Sequence, residues 1–241
     1  MIRTNGERSA ASPSIPTWRV PALLVGLSLI PIVAGAVRVG GLAGDPAITP
    51  ENARFVADPL PMVLHIVSSS LWCLLGAFQF SSGIRRRHHR WHKRAGRVLV
   101  PLGLVSALTG LWMTFFYPRA ASNGPEGFDG PWLDALRVAA GAGMAISICL
   151  AVASILRRDF KAHGAWMMRG YALGLGVGTQ VLTHLPWFLF PGIQGELART
   201  ICMGAGWAIN LAVAEWIIRS RSHASAAAPR RNRSVPLHAN S

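Results

Sequence analysis

Apolar residues in this chain gather into long unbroken runs, and polar residues gather between them. The runs cover residues 20–37, 60–80, 98–117, 135–156, 170–190 and 197–218. Each holds roughly 20 residues, the length a helix needs to cross the ~30 Å hydrocarbon layer of a bilayer. No stretch alternates apolar and polar at period two, which excludes a strand barrel. In lipid a continuous apolar backbone must satisfy its own hydrogen bonds, so the runs are predicted to be helices. The expected fold class is all-α, a polytopic transmembrane bundle of about six helices spanning residues 20–218. Residues 1–19 and the basic stretch 219–241 read as disordered tails.

Two readings are open for the first run. Ala34-Gly35-Ala36 imitates a leader cleavage site. The long polar lead-in and the length of the run, which Pro31 interrupts, favour a retained helix.

Charge fixes an orientation. The chain carries 24 lysines and arginines against 10 acids, a net charge of +14. On a soluble fold that excess suggests nucleic acid. Here it sits in particular connections, which is a topology signal, so no nucleic-acid partner is expected. Arg85, Arg86, Arg87, Arg90, Lys93, Arg94 and Arg97 fall between the second and third runs. Arg157, Arg158, Lys161 and Arg169 fall between the fourth and fifth. The opposite side holds Arg38, Arg54, Arg119 and Arg199, together with Asp45, Glu51, Asp58, Glu126, Asp129, Asp134 and Glu196; Arg137 lies near a helix start. The positive-inside rule then puts both termini in the cytoplasm. Trp91 and Trp166 on the basic side, and Trp132 and Trp187 on the other, fit interfacial belts.

Histidines are the candidate chemistry. His65 and His184 fall near the acidic ends of their runs, and His92 and His163 in the basic connections. Facing imidazoles at one depth can supply both axial ligands of a haem iron or part of a metal site. His65 and His184 are therefore candidate ligands of an outer haem b or metal, and His92 and His163 of an inner haem. Arg97 and Arg169 are candidate contacts for haem propionates. The plainer alternative is that these imidazoles only hydrogen-bond between helices.

Gly170, Gly174 and Gly178, with Gly176 among them, form a small-residue face that either packs a neighbouring helix or leaves room for a macrocycle beside His184. Gln79, Gln180 and Asn210 are polar groups within spans, and Glu215 is expected to pair with Arg219, Arg97 or Arg169. Cys73, Cys149 and Cys202 lie in apolar runs without a CxxC spacing and read as packing residues. No phosphate loop, HExxH pair, nucleophile elbow or facing carboxylate pair occurs, so hydrolase and kinase chemistry has no support.

His65, Gly76-Ala77-Phe78-Gln79-Phe80 and His92-Lys93-Arg94-Ala95-Gly96-Arg97, followed by Arg157-Arg158-Asp159-Phe160, His163 and Trp166 to Leu173, resemble the uncharacterised prokaryotic membrane family DUF2306 over roughly residues 60–215. Gly164 stands after His163, where the family pattern has an arginine. The resemblance implies a multi-pass protein of the prokaryotic plasma membrane and brings no activity. Two functions are carried forward. The first is a b-type haem protein exchanging electrons with a quinone or membrane redox partner. The second is a non-redox protein that binds or transports a small apolar or lipid-like ligand, with a non-catalytic scaffold beside it.

Overall fold

Helix follows helix with short breaks along residues 18–44, 46–120 and 124–227, the parts of the chain that this computed structural model describes. The long elements are α1 (Arg19–Leu42), α3 (Pro59–Gln79), α5 (His89–Phe116), α6 (Pro131–Leu156) and α10 (Glu196–Ala227). Shorter pieces are α2 (Ala53–Ala57), α4 (Ser82–Arg87), α7 (Phe160–Gly174), α8 (Gly176–Thr183) and α9 (Leu185–Leu189), with a 3-10 turn at Pro125–Phe128. No strand occurs among the described residues. Among the described residues five helices are long and apolar enough to cross a membrane. The 21 residues of α3 rise about 32 Å, matching the hydrocarbon layer.

The fifth predicted run is the exception, because it is divided into α7, α8 and α9 with breaks at Leu175 and His184. Gly174 and Gly176 flank the first break. Pro186 accounts for the second: its ring collides with the carbonyl four residues back and it has no N–H to donate. Elsewhere helices outrun the apolar segments. α5 begins at His89, ahead of the predicted residue 98, since Arg, Lys and Ala are good helix formers wherever the apolar stretch starts. α10 continues to Ala227, which corrects the expectation of a disordered tail from residue 219. Pro31 is carried within α1. The tail expectations for residues 1–17 and 228–241 fall outside the described residues.

Lipid is as apolar as leucine, so membrane helices associate through close packing of small residues and through hydrogen bonds. The core shows both. Trp72, Leu99, Ala107, Met144, Ile148 and Tyr171 form its centre. Gly103 gives Trp72 its place, since a Cβ there would lie 2.4 Å from the indole. Gly76 does the same for Tyr171, whose hydroxyl donates to the Cys73 carbonyl at 2.8 Å and ties α7 to α3.

Each glycine on the face of α7 and α8 has a neighbour against it. Gly170 packs on Ile148, Gly174 on the Trp72 indole nitrogen, Gly176 on Trp207, and Gly178 on the Leu27 backbone of α1. It is mainly a packing face. Hydrogen bonds then stitch this broken segment to α10. Asn210 accepts from Thr179 at 2.7 Å and donates to the Ala172 carbonyl at 3.1 Å, while Gln180 donates to the Met203 carbonyl at 3.1 Å.

The outward surface is apolar. Leu23, Val37, Leu108, Phe115, Phe116 and Trp216 are all exposed. Apolar exposure on this scale suits lipid and not water. Trp91 and Trp132 are exposed near the helix ends, as the belt expectation required. Trp187 is instead buried, edge-on to Phe128 at 5.2 Å. Trp166 lies under the Arg169 guanidinium, 4.5 Å from its carbon.

Candidate functional site: a cavity at the acidic end

Glu126, Asp129 and Asp134 gather at one end of the bundle, and each serves two arginines. Glu126 accepts from Arg38 at 3.2 Å and Arg54 at 2.5 Å, and both guanidiniums stack on the Phe55 ring. Asp129, whose side chain is only 4% exposed, accepts from Arg137 at 2.7 Å and Arg199 at 3.1 Å. Asp134 accepts from Arg119 at 2.9 Å and Arg137 at 3.4 Å. The chain of pairs therefore clamps the turn before α6 to the start of α10. Beside it the Tyr117 hydroxyl donates to the Asp58 carbonyl. Burial, then the Asp58 carboxylate, hold that phenol above its ordinary range.

Arg199 continues the chain inward to His184. A guanidinium can only donate, so the 2.7 Å contact makes His184 Nε2 the acceptor. The carbonyl of Gln180, 2.7 Å from Nδ1, can only accept, so Nδ1 carries the proton. Both ring nitrogens are thus occupied. As an axial ligand His184 would have to give up Arg199, and the arrangement offers it no lone pair for iron.

His65 is placed differently. It stands six residues into α3, about 9 Å below the acidic end by helix rise. Its Nδ1 donates to the Ser106 carbonyl of α5 at 2.9 Å. Nε2 is left as a lone pair with no partner among the described residues. Gly110 opposite the ring makes room for it, since a Cβ there would stand 3.2 Å from Cε1.

His65 is one of the residues lining a cavity of about 640 Å³. Its mouth is framed by Arg54, Arg119, Glu126, Asp129, Asp134, Arg137 and Arg199. Its walls carry His65 and a set of hydroxyls from Ser69, Ser70, Ser106 and Thr114. Its floor is Cys73, Met144, Leu173 and Gly174. Met144 lies thirteen residues into α6, so the floor is ~20 Å down, near the bilayer midplane. Beside the floor the Trp72 indole N–H is buried without a partner.

The basic end is built otherwise. His163 donates from Nδ1 to the Ala151 carbonyl at 2.9 Å. The His92 Nδ1 is buried and unpartnered. Arg169 grips Glu215 with two bonds, at 2.5 and 3.1 Å, so one expected partner of Glu215 is the one chosen and Arg169 is not free for a propionate. Arg97 is exposed. Of the predicted site residues, then, His92 and His163 share the basic end, and no hydrogen bond joins them. His65 and His184 share an end of the bundle, and no hydrogen bond joins them. No cluster of three or more His, Cys, Asp or Glu suited to a metal occurs among the described residues. Sequence reasoning missed the arginine–carboxylate chain, whose partners lie up to 88 residues apart.

Fold and site define a multi-pass helical membrane protein with a polar-mouthed cavity entering its core from one end. The chain belongs to the DUF2306 family, described as a predicted membrane protein, which matches residues 62–218. No curated protein and no solved structure matches it. The family region takes in α3 to α10 through residue 218, and hence most of the cavity lining.

Proposed function

We propose that this protein binds a small elongated ligand with an apolar body and a hydrogen-bond donor, seated in the acidic-end cavity against His65. The observation that carries this reading is that His65, whose Nε2 has no partner among the described residues, lines a cavity whose deeper surface is apolar. Pockets that hold small ligands share this composition: mostly apolar walls with few, well-placed polar groups. The lone pair at Nε2 calls for a hydroxyl or N–H on the ligand. The mouth arginines are held by their carboxylates and frame a polar entrance. With the arginine-rich connections in the cytoplasm, that entrance faces outward, which suits uptake from, or sensing of, the external side.

All-trans-retinol, a fluorescent apolar alcohol, tests the reading in titrations of the full chain in nanodiscs. Saturable binding near one per chain is expected. Ala140→Trp, which fills the cavity, abolishes it. His65→Phe weakens the alcohol about fivefold, the worth of one hydrogen bond of ~1 kcal/mol, and leaves the methyl ether of the same polyene unchanged. Binding that ignores both substitutions overturns the proposal.

A second reading has one specific observation in its favour. His65 donates Nδ1–H to a backbone carbonyl and presents Nε2, the arrangement that metal-ligating histidines use. A b-type haem held by His65 in the same cavity would give the purified protein a reduced-minus-oxidised absorption band lost in His65→Phe. A colourless, iron-free preparation removes it.

A further inference from the structure

The two ends of the bundle treat their arginines in opposite ways. At the acidic end Arg38, Arg54, Arg119, Arg137 and Arg199 each pair with a carboxylate within the chain, the five sharing Glu126, Asp129 and Asp134. At the other end Arg85, Arg86, Arg87, Arg90, Lys93, Arg94 and Arg97 are all exposed, as are Arg157, Arg158 and Lys161. None of these ten has an ion-pair partner among the described residues. Of the acids described at this end, Asp159 caps α7, accepting from the Ala162 N–H at 2.9 Å, and Glu215 is held by Arg169.

Depth says what these charges meet. α3 ends at Gln79 after one hydrocarbon thickness, and α4 follows at Ser82. In α5 the apolar stretch starts only at Val98, and its 19 residues to Phe116 rise about 29 Å. α4 and the first two turns of α5 therefore lie in the headgroup layer, with Trp91 among them as an interfacial residue. A recess of about 240 Å³ opens there, lined by Gly83, Ile84, Arg86, Arg87 and His88. Guanidiniums bind phosphate oxygens through paired N–H groups, and no carboxylate competes for them here.

We infer that α4 and the start of α5 form a binding site for the phosphate headgroup of anionic phospholipids, centred on Arg85, Arg86 and Arg87. The charge complementarity is to a phosphodiester that the bilayer itself supplies at this depth. Each basic residue near an anionic surface contributes on the order of 1 kcal/mol. Loss of three therefore predicts a drop in affinity of at least tenfold.

The test is native mass spectrometry of the full chain released from detergent and titrated with phosphatidylglycerol or phosphatidylcholine of equal chain length. The chain is expected to retain phosphatidylglycerol at least tenfold more tightly. R85Q/R86Q/R87Q, at exposed positions that make no internal ion pair, should abolish the preference without lowering the unfolding temperature. Arg38→Gln at the opposite end should keep it. Equal retention of the two lipids overturns the inference, as does a preference that survives the triple substitution. Two competitions separate the sources of phosphate. Displacement of phosphatidylglycerol by equimolar inorganic phosphate would assign the recess to a free anion, and displacement by a short single-stranded oligonucleotide would assign it to nucleic acid; either contradicts a lipid site.

Discussion

Replacing Arg199 by Met is the sharpest perturbation of the acidic end. In the native protein this guanidinium is 10% exposed and holds Asp129 at 3.1 Å and His184 at 2.7 Å. Its loss leaves a carboxylate that is 4% exposed with one arginine in place of two, and leaves His184 Nε2 buried without a donor. Breaking a buried ion pair from one side costs ~3–5 kcal/mol. Arg137 still holds Asp129 at 2.7 Å, which argues for the lower bound of about 3 kcal/mol. For a chain of this size each kcal/mol moves the unfolding midpoint by roughly 2–4 °C. The expected drop is therefore ~6–12 °C, read by thermal unfolding of the purified protein in one detergent. Arg199→Lys keeps the charge and loses the fork that spans two acceptors, so it should fall between the two. R199M/D129N removes both members of the pair and should cost less than the sum of its parts, because no orphan carboxylate remains. A loss below about 1 kcal/mol in Arg199→Met, or strict additivity in the double variant, would refute the buried chain of charges.

Further outcomes follow from packing and polar contacts. Gly178→Ala places a Cβ 2.3 Å from the Leu27 carbonyl, so α1 must move away from α8. It should cost ~1–3 kcal/mol in the same unfolding assay. Gly40→Ala meets nothing within 4 Å and should be neutral or slightly stabilising. Asn210→Ala removes an acceptor for Thr179 and a donor for the Ala172 carbonyl, with an expected loss of about 1–2 kcal/mol. Glu215→Gln frees Arg169 at a site about a quarter to a third exposed, so the expected loss is ~1 kcal/mol or less, shrinking in high salt.

Composition and run length were enough to read the helical class, since in lipid each apolar run has only one way to satisfy its backbone. The family was legible in the two basic connections. The division of the fifth run was half-written in Pro186, and the glycine face that precedes it was readable as packing. Its four glycines turned out to meet four different helices, which no spacing rule foretells. For His184, depth and rarity mark an intramembrane imidazole as a candidate and say nothing of its partners. Its partner Arg199 lies at the start of α10 and the shared Asp129 in the turn before α6, and only the closed bundle brings them together. His65 is the converse case: the residue was evident in the sequence, while its free nitrogen became visible only once Ser106 had claimed the other.

The cavity itself can be interrogated without knowing the natural ligand. A long-chain alcohol carrying a diazirine near its midpoint, irradiated with the full chain in nanodiscs, marks whatever surrounds its apolar body. The account predicts adducts at Ser69, Ser106 and Ala140, which border the cavity on α3, α5 and α6, and their disappearance in Ala140→Trp. Adducts confined to lipid-facing positions such as Leu23, Leu64 and Leu108 would contradict it.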